Sequence, residues 1–122
     1  MAQVDADFDK LLAESAPTVA EAARALRAAI HVAIPDGVEQ VDFGNRLLAV
    51  GRSMKMRDLM FAVIPHSAHV NLQLADGVDL PNADGRIEGT GKRIRHIKVR
   101  SAEDARSAAI ASAIAAEVAL HA

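Results

Sequence analysis

Hydrophobic residues recur at two different spacings along this 122-residue chain. Spacings of three and four residues, typical of a helix with one buried face, mark residues 5–15, residues 18–34 and the segment that follows Ser101. Alternating or continuous hydrophobic runs, typical of strands, lie within residues 38–75 and again from Ile94 to Val99. The pattern therefore predicts two helices, then four or five strands, then a final helix.

The first two helices are each predicted to begin at a capping residue and to bury one hydrophobic face. Asp5 or Asp7 is expected to cap the first helix. Thr18, with Glu21 three residues on, forms a capping-box signature for the second. The predicted buried residues are Phe8, Leu11 and Leu12 in the first helix and Val19, Ala22, Ala23, Leu26, Ile30 and Ala33 in the second, with Arg24 and Arg27 on the opposite face in water.

Short polar turns separate the hydrophobic runs of the middle region, so neighbouring strands are expected to pair antiparallel. The run Leu59–Ile64 is continuously apolar, which predicts a central strand covered on both faces. In the last strand Ile97 and Val99 are expected inside and Lys98 outside, because side chains alternate between the two faces of a sheet. The predicted strands are Val38–Phe43, Arg46–Gly51, Asp58–Pro65, Val70–Leu74 and Ile94–Val99.

Ser101, with Asp104 three residues on, is expected to cap the final helix. Residues 76–91, rich in Asp, Gly, Pro and Asn, should form a long surface loop. A chain of this length predicts one domain, over residues 1–122. Its predicted class is α+β, with a single antiparallel sheet of four to five strands, two N-terminal helices and one C-terminal helix packed on it. The predicted buried face of the final helix is Ile110, Ile114 and Val118.

The composition of the chain narrows the classes of function it can have. There is no Cys, which excludes disulfides and thiolate-bound metals. No hydrophobic run approaches the ~20 residues of a membrane-spanning helix. The acidic N-terminus lacks the hydrophobic segment of a signal peptide, which favours a cytoplasmic location. A net charge of −2 and an aromatic content of 2% argue against a nucleic-acid partner, because binding of single strands relies on aromatic stacking.

A glycine-rich turn followed by a basic strand is the most conspicuous chemical feature of the sequence. Five of the 14 Lys and Arg residues lie between Lys92 and Arg100. The turn does not match a nucleotide-binding P-loop, because Arg93 stands where a Ser or Thr is required and a strand follows instead of a helix. We predict that its backbone N–H groups and the adjacent cations bind an anion. The predicted ligand-binding residues are Gly89, Thr90, Gly91, Lys92, Arg93, Arg95, His96 and Lys98.

Other interpretations of the charged residues stay open at this point. The glycine turn is purely structural if its arginines pair with Asp79, Asp84 or Glu88. A second basic group, made of Arg46, Arg52, Lys55 and Arg57, either is solvated or lies beside the basic strand. A metal carrier has two candidate ligand sets, Asp5, Asp7, Asp9 and Glu14, or the pair His66 and His69 with His96 or His121. An enzyme is the remaining class, although no serine lies in a nucleophile motif and no catalytic residue or cofactor is predicted.

Four short runs occur in a fixed order: Val70-Asn71-Leu72, Asp79-Leu80-Pro81, Ile87-Glu88-Gly89-Thr90-Gly91-Lys92 and Arg95-His96-Ile97-Lys98. Together they resemble the YdhG-like family of small domains of unknown function, over about residues 20–120. The resemblance implies an α+β fold with an antiparallel sheet, a cytoplasmic location and self-association, but no established reaction. Some relatives carry an iron-chaperone label, with a frataxin-like role. This chain has fewer aromatic residues than many members: Phe43-Gly44-Asn45 stands where a tryptophan-glycine and then a proline are often found, and Leu72-Gln73-Leu74 lacks the usual phenylalanine.

We therefore expect a non-enzymatic binding or interaction domain of unknown physiological role. Its predicted binding surface, for a small anion or an acidic partner, is the element from Gly89 to Arg100. The alternative is an intracellular metal carrier, of iron in view of the resemblance. A second copy of the chain, in a homodimer, is a further expected partner, whereas membranes and nucleic acids are not.

Overall fold

The computed structural model describes residues 2–122 and has the predicted α+β architecture. One five-stranded sheet has the order β1-β2-β3-β4-β5, and all neighbouring strands are antiparallel. Among residues 2–122, no helix has the length and hydrophobicity needed to cross a membrane. The helices are α1 (Ala2–Leu12), α2 (Pro17–Ala33), α3 (Ala102–Ala105) and α4 (Ala108–Ala119), and the strands are β1 (Val38–Asp42), β2 (Leu47–Gly51), β3 (Leu59–Pro65), β4 (Val70–Leu74) and β5 (Arg95–Val99).

The hydrophobic core lies between one face of the sheet and the helices. Helix α2 packs on β3 and β4, α1 packs on β1, and α3 and α4 pack against α2. The strand register aligns Leu48, Val63, Leu72 and Ile97 in one buried row across four strands. The alternation predicted for β5 is confirmed, since Ile97 and Val99 are buried and Lys98 is exposed. The run Met60–Val63 of β3 is buried and β3 is the central strand, as predicted, but the helices pack on only one face of the sheet, so coverage on both faces is not found.

The predicted buried faces of α1 and α2 are confirmed except at Ala33, which is half-buried, but the predicted caps are wrong. Helix α1 already includes Ala2, so Asp5 and Asp7 lie inside it and do not cap it. Helix α2 begins at Pro17, two residues before the start that a Thr18 cap requires. The fixed backbone φ of proline suits the first helical position, and this preference outweighs the local capping signal of Thr18.

The C-terminal segment forms two helices where the sequence predicts one. The Ser101 hydroxyl accepts a hydrogen bond from the Asp104 backbone N–H at 3.0 Å, which confirms it as a cap, but of the four-residue helix α3. The Ser107 hydroxyl caps α4 in the same way, by accepting from Ile110 N–H at 3.4 Å. The predicted surface loop is also more ordered than expected. It contains a 3-10 helix at Gly77–Asp79, and a similar short turn, Met56–Asp58, precedes β3.

Arg27 contradicts the prediction that it lies in water, because its side chain is only 17% exposed. Its guanidinium donates two hydrogen bonds to Glu39, at 2.7 and 2.8 Å, and contacts Asp5 at 2.8 Å. His31 Nε2 lies 2.9 Å from the same Glu39 carboxylate. Burial acts to raise the pKa of Glu39, but the hydrogen bonds from Arg27 and His31 outweigh it and hold the pKa below its usual value. We call these four residues the α2 cluster.

Candidate functional site

A cleft of about 910 Å³ opens where the end of β4, the glycine turn before β5 and the C-terminal segment meet. Three cations line it, namely Arg57, Lys92 and Arg93. The carboxylates of Asp76 and Asp79 and several apolar side chains complete its walls. Its volume lies within the range of about 300–1,000 Å³ that is usual for sites binding small molecules. The cleft is therefore large enough for a small organic ligand.

Two turns that form the cleft are held together by the backbone. Gly77, in the turn after β4, lies so close to β5 that a Cβ atom there would be 2.4 Å from the Cβ of Arg95. Only glycine fits this approach. The next residue, Val78, donates its backbone N–H to the carbonyl of Arg93 at 3.0 Å. The turn that carries Asp76 is thereby fixed against the glycine turn.

The glycine turn is the tip of a short antiparallel pairing. Glu88 and His96 exchange two backbone hydrogen bonds, of 2.8 and 2.9 Å, and the chain between them reverses direction. Gly89 takes a φ of +132°, which favours glycine. The Arg95 guanidinium folds back onto the turn and donates to the carbonyl oxygens of Gly91 and, at 3.0 Å, Ile94. Arg95 therefore stabilises the turn itself.

Four ionisable side chains converge at one end of the cleft, and we call them the cleft cluster: Asp76, Arg93, Glu117 and His121. His121 Nε2 lies 2.7 Å from Asp76 Oδ2 and 2.8 Å from Glu117 Oε2. The backbone N–H of Asp76 donates to Glu117 Oε1 at 2.8 Å, and the Arg93 guanidinium donates to Asp76 Oδ1. Glu117 is fully buried, whereas Asp76, Arg93 and His121 reach the cleft wall. The C-terminal end of the chain is thus tied to the end of β4.

The two carboxylates of the cleft cluster are shifted in opposite directions. Burial, together with the neighbouring Asp76 carboxylate, raises the pKa of Glu117 to about 7, although the backbone N–H of Asp76 acts in the opposite direction. Burial also acts to raise the pKa of Asp76, but hydrogen bonds from Glu117, Arg93 and His121 outweigh it and keep the pKa below its usual value. Below neutral pH the pair therefore holds one negative charge, on Asp76, and one proton, on Glu117, and this proton is lost as the pH rises through about 7.

Sequence reasoning missed Glu117, although the helical period points to it. The predicted buried face of α4 continued from Ile110 and Ile114 to Val118, in steps of four residues. At about 100° per residue, a step of eight residues rotates by about 80° from Ile110, whereas a step of seven rotates by only about −20°. Accordingly Glu117 is buried and Val118 is only half-buried. A charged residue in line with a buried hydrophobic face is the signal that identifies this position.

The structure divides the predicted anion-binding residues between different surroundings. Gly91, Lys92 and Arg93 line the cleft, and Arg57 from the second basic group joins them. Gly89 and Thr90 are exposed, Arg95 supports the turn, His96 is half-buried on β5, and Lys98 faces a separate small cavity with Arg86, Arg100, Glu88 and Asp104.

The carboxylate partners proposed for a structural turn are not the ones found. Arg93 pairs with Asp76 instead of Asp79, Asp84 or Glu88. Arg86, at the start of the same segment, pairs with Asp104 at 2.6 Å. Within residues 2–122, neither Arg57 nor Lys92 has a carboxylate at ion-pair distance. These two cations are the ones available to a ligand in the cleft.

The predicted metal-ligand sets are not assembled as ligand groups. Asp5 and Asp9 are used in ion pairs with Arg27 and Arg24. The rings of His66 and His69 stack with their centroids 4.9 Å apart, and burial is the main cause that lowers the pKa of His69. In the described part of the chain, the group that does bring ligand atoms together is Asp76, Glu117 and His121, within 4.8 Å of one another. Carboxylate oxygen and imidazole nitrogen are both ligands for divalent metals.

The structure is thus a small α+β domain with a cleft that basic and apolar side chains line together. Comparison of the chain with models of protein families, with curated proteins and with solved structures found no match. The resemblance to the YdhG-like family therefore stays a prediction.

Proposed function

We propose that this protein is a non-enzymatic binding domain that takes a small anion into the cleft between the glycine turn and the C-terminal segment. The observation that supports the proposal is the pairing state of the cations in the cleft. Arg93 is held by Asp76, whereas Arg57 and Lys92 have no ion-pair partner within residues 2–122. Each can donate charge-assisted hydrogen bonds to a carboxylate or phosphate without first breaking a contact.

The balance of charge among the side chains that line the cleft favours an anion over a cation. Asp79 is the one carboxylate there without an ion pair in the described chain, and it opposes two such cations, Arg57 and Lys92. Asp76 is already neutralised by Arg93. The glycine turn adds an accessible backbone, since Gly91 has no Cβ atom to obstruct a ligand.

A titration with inorganic phosphate at low ionic strength, followed by amide chemical shifts, tests the proposal. We expect the amides of Thr90–Arg93 to shift at millimolar phosphate, and the effect to weaken as salt is added, because exposed charges are screened over about 8 Å at physiological ionic strength. Lys92→Gln and Arg57→Gln should each weaken binding about threefold to tenfold, since each removes one exposed charge–charge contact.

Lys98→Gln is the matched control, because Lys98 belongs to the same basic run but faces the separate cavity. It should leave phosphate binding unchanged. Amides of the turn that do not move in low salt would refute the proposal. A Lys98→Gln effect as large as that of Lys92→Gln would mean that the whole basic run, and not the cleft, attracts the anion.

A divalent-cation carrier is the second candidate function, and the convergence of Asp76, Glu117 and His121 is the observation that favours it. These ligand atoms are close enough for one ion to contact all three. The Arg93 guanidinium already pairs with the Asp76 carboxylate, so a metal ion has to displace Arg93 before it can bind there. The exposed Arg93 side chain is free to swing towards solvent.

Calorimetric titration with Mn²⁺ or Zn²⁺ separates this candidate from the first. A carrier would lose at least tenfold in affinity on His121→Gln and would gain affinity on Arg93→Gln, which removes the competing cation. The double variant His66→Gln/His69→Gln is the control and should bind as the wild type does. Binding that survives His121→Gln but is lost in the control variant would place the metal on the stacked histidines instead.

A further inference from the structure

We infer that the anion bound in the cleft carries an apolar body, so that the ligand class is a small amphiphilic anion such as a medium-chain carboxylate or phosphate monoester. This inference rests on the proposed function and specifies its ligand. Three observations support it. The cleft has an apolar wall, this wall continues along the open face of the sheet, and the unpaired cations Arg57 and Lys92 line the cleft but not that continuation.

The apolar wall of the cleft gathers hydrophobic side chains that are unusually exposed. Met56 is 85% exposed, and Ile94 and Leu120 are each about half exposed, at 49% and 51%. All three line the cleft, together with the partly buried Leu59. Scattered exposed hydrophobic residues are ordinary, but a group of them that lines one concave surface marks a binding site for an apolar group.

The same wall continues onto the face of the sheet that the helices leave uncovered. A second cavity, of about 410 Å³, shares Met56, Leu59 and Ile94 with the cleft. It extends over β2 and β3, where the small side chains of Ala49 and Ala62 leave room above the strands. The two cavities therefore form one groove that runs from the glycine turn across the open face.

The position of the charges decides between an amphiphile and a purely apolar occupant. Arg57 and Lys92 line the larger cavity and not its extension over the sheet. An elongated ligand with an acidic head at these cations can therefore lay its apolar tail along Met56 and Ile94. Methionine side chains adapt to ligands of different shape, because they are unbranched and polarizable, and Met54 lies further along the groove.

A chain-length series tests the inference directly. We would titrate the full chain by calorimetry with acetate, hexanoate, octanoate and decanoate, below the concentration at which each self-associates. Full burial of a methylene group raises affinity about fourfold. Because the groove is open on one side, we expect half of that free-energy gain, which is about a twofold rise in affinity for each added methylene group. Nonyltrimethylammonium, with the same nine-carbon tail and the opposite charge, should bind at least tenfold more weakly than decanoate.

Met56→Gln should reduce the gain in affinity for each added methylene group along the acid series. Val32→Gln is the matched control, because Val32 is 84% exposed, nearly as much as Met56, but lies on α2. Neither substitution removes a buried side chain, so both variants are expected to fold. An equal effect of the two substitutions on decanoate binding would overturn the inference.

The remaining outcomes separate the inference from the proposed function. Phosphate binding that depends on Lys92, without any gain along the acid series, would overturn the inference and leave the proposed function standing. Absence of binding by phosphate and by every acid would overturn both. A dimer of twice 12.9 kDa in sedimentation that Met56→Gln dissociates and decanoate leaves intact would show that a second copy covers the groove. Binding of the protein to anionic lipid vesicles, without binding of free decanoate, would show that the groove contacts a membrane surface instead of a free ligand. Either result would overturn the inference.

Discussion

The α2 cluster and the cleft cluster each combine a glutamate, an aspartate, a histidine and an arginine. In the α2 cluster Arg27 makes a bidentate contact with Glu39, and the pKa of that glutamate is lowered. In the cleft cluster Arg93 contacts Asp76 and not the glutamate, and the pKa of Glu117 is raised to about 7. The same residue types therefore give opposite protonation of the glutamate.

The two clusters show that the position of the cation, and not burial alone, sets the charge of a buried carboxylate. Both Glu39 and Glu117 are shielded from water, and burial acts to raise the pKa of each. Arg27 lies inside with Glu39 and compensates its charge. Arg93 lies largely in solvent and compensates only Asp76, so Glu117 retains a proton. The α2 cluster is consequently a structural contact, whereas the cleft cluster keeps groups whose charge can change near neutral pH.

The largest expected effect comes from removing the cation of the α2 cluster. Arg27→Met should lower the free energy of unfolding by about 3 kcal/mol at pH 7, because the buried carboxylate of Glu39 is left with only the His31 ring as a side-chain partner. Urea denaturation measures the loss. A much smaller loss of stability would show that Glu39 takes up a proton when Arg27 is removed. The two clusters would then not differ in how they hold their glutamate.

Arg24→Met is the matched control for this substitution. Arg24 lies on the same helix, lies over the same Phe8 ring as Arg27, and pairs with Asp9 in solvent. Its loss should change stability by less than about 0.5 kcal/mol. Equal losses in the two variants would contradict a special role for the Arg27–Glu39 pair.

The next effect concerns the proton held by Glu117. Its usual pKa of 4.5 is raised to about 7 in the folded protein, so the folded state binds a proton that the unfolded chain releases between these values. The corresponding stability is fully present below pH 4.5 and is lost as the pH rises through 7. Glu117→Gln keeps a neutral side chain and should be more stable than the wild type at pH 8, by on the order of 2 kcal/mol.

Urea midpoints measured from pH 4 to pH 8, with EDTA present, check this prediction. The wild type should lose stability across this range relative to Glu117→Gln. Glu39 provides the opposite case, since its lowered pKa gives stability that is present above the usual pKa and lost as the pH falls through the folded value. Glu39→Gln should therefore flatten the acid side of the profile. Parallel profiles for the wild type and Glu117→Gln would show that Glu117 is ionised in the folded protein.

The α2 cluster and the cleft cluster also differ in how far the sequence predicts them. Hydrophobic period correctly predicts the sheet and the bounds of its strands within one or two residues. The glycine-rich basic run directs attention to Gly91–Arg93, which line the cleft. These features depend on local pattern. The contacts between Arg27 and Glu39, and between Asp76 and Glu117, join residues 12 and 41 positions apart. Contacts of this kind follow from packing, which a periodic pattern does not encode.

Local signals also compete, and the sequence does not state which one prevails. Thr18 and Ser101 both precede an acidic residue by three positions, yet only Ser101 caps a helix. Pro17 decides the first case, because its backbone is already set for a helix start. Ser107 divides the C-terminal segment into α3 and α4 by offering a second cap. The same competition explains why hydrophobic faces were predicted more reliably than helix ends.

The smallest effect expected within the two clusters is that of Arg93→Gln, which removes the cation of the cleft cluster. The side chain of Arg93 is 66% exposed, compared with 29% for Arg86 and 17% for Arg27. Exposed ion pairs contribute little to stability, because water already solvates both charges and the long side chain loses freedom on pairing. Arg93→Gln should therefore lower the free energy of unfolding by less than about 1 kcal/mol. Arg86→Gln breaks the half-buried pair with Asp104, so its loss of stability should lie between those of Arg93→Gln and Arg27→Met. Urea denaturation of the three variants at one pH gives the order. If Arg93→Gln costs as much as Arg86→Gln, Arg93 is a structural support of the cleft, and the distinction between a fixed α2 cluster and an adaptable cleft cluster does not hold.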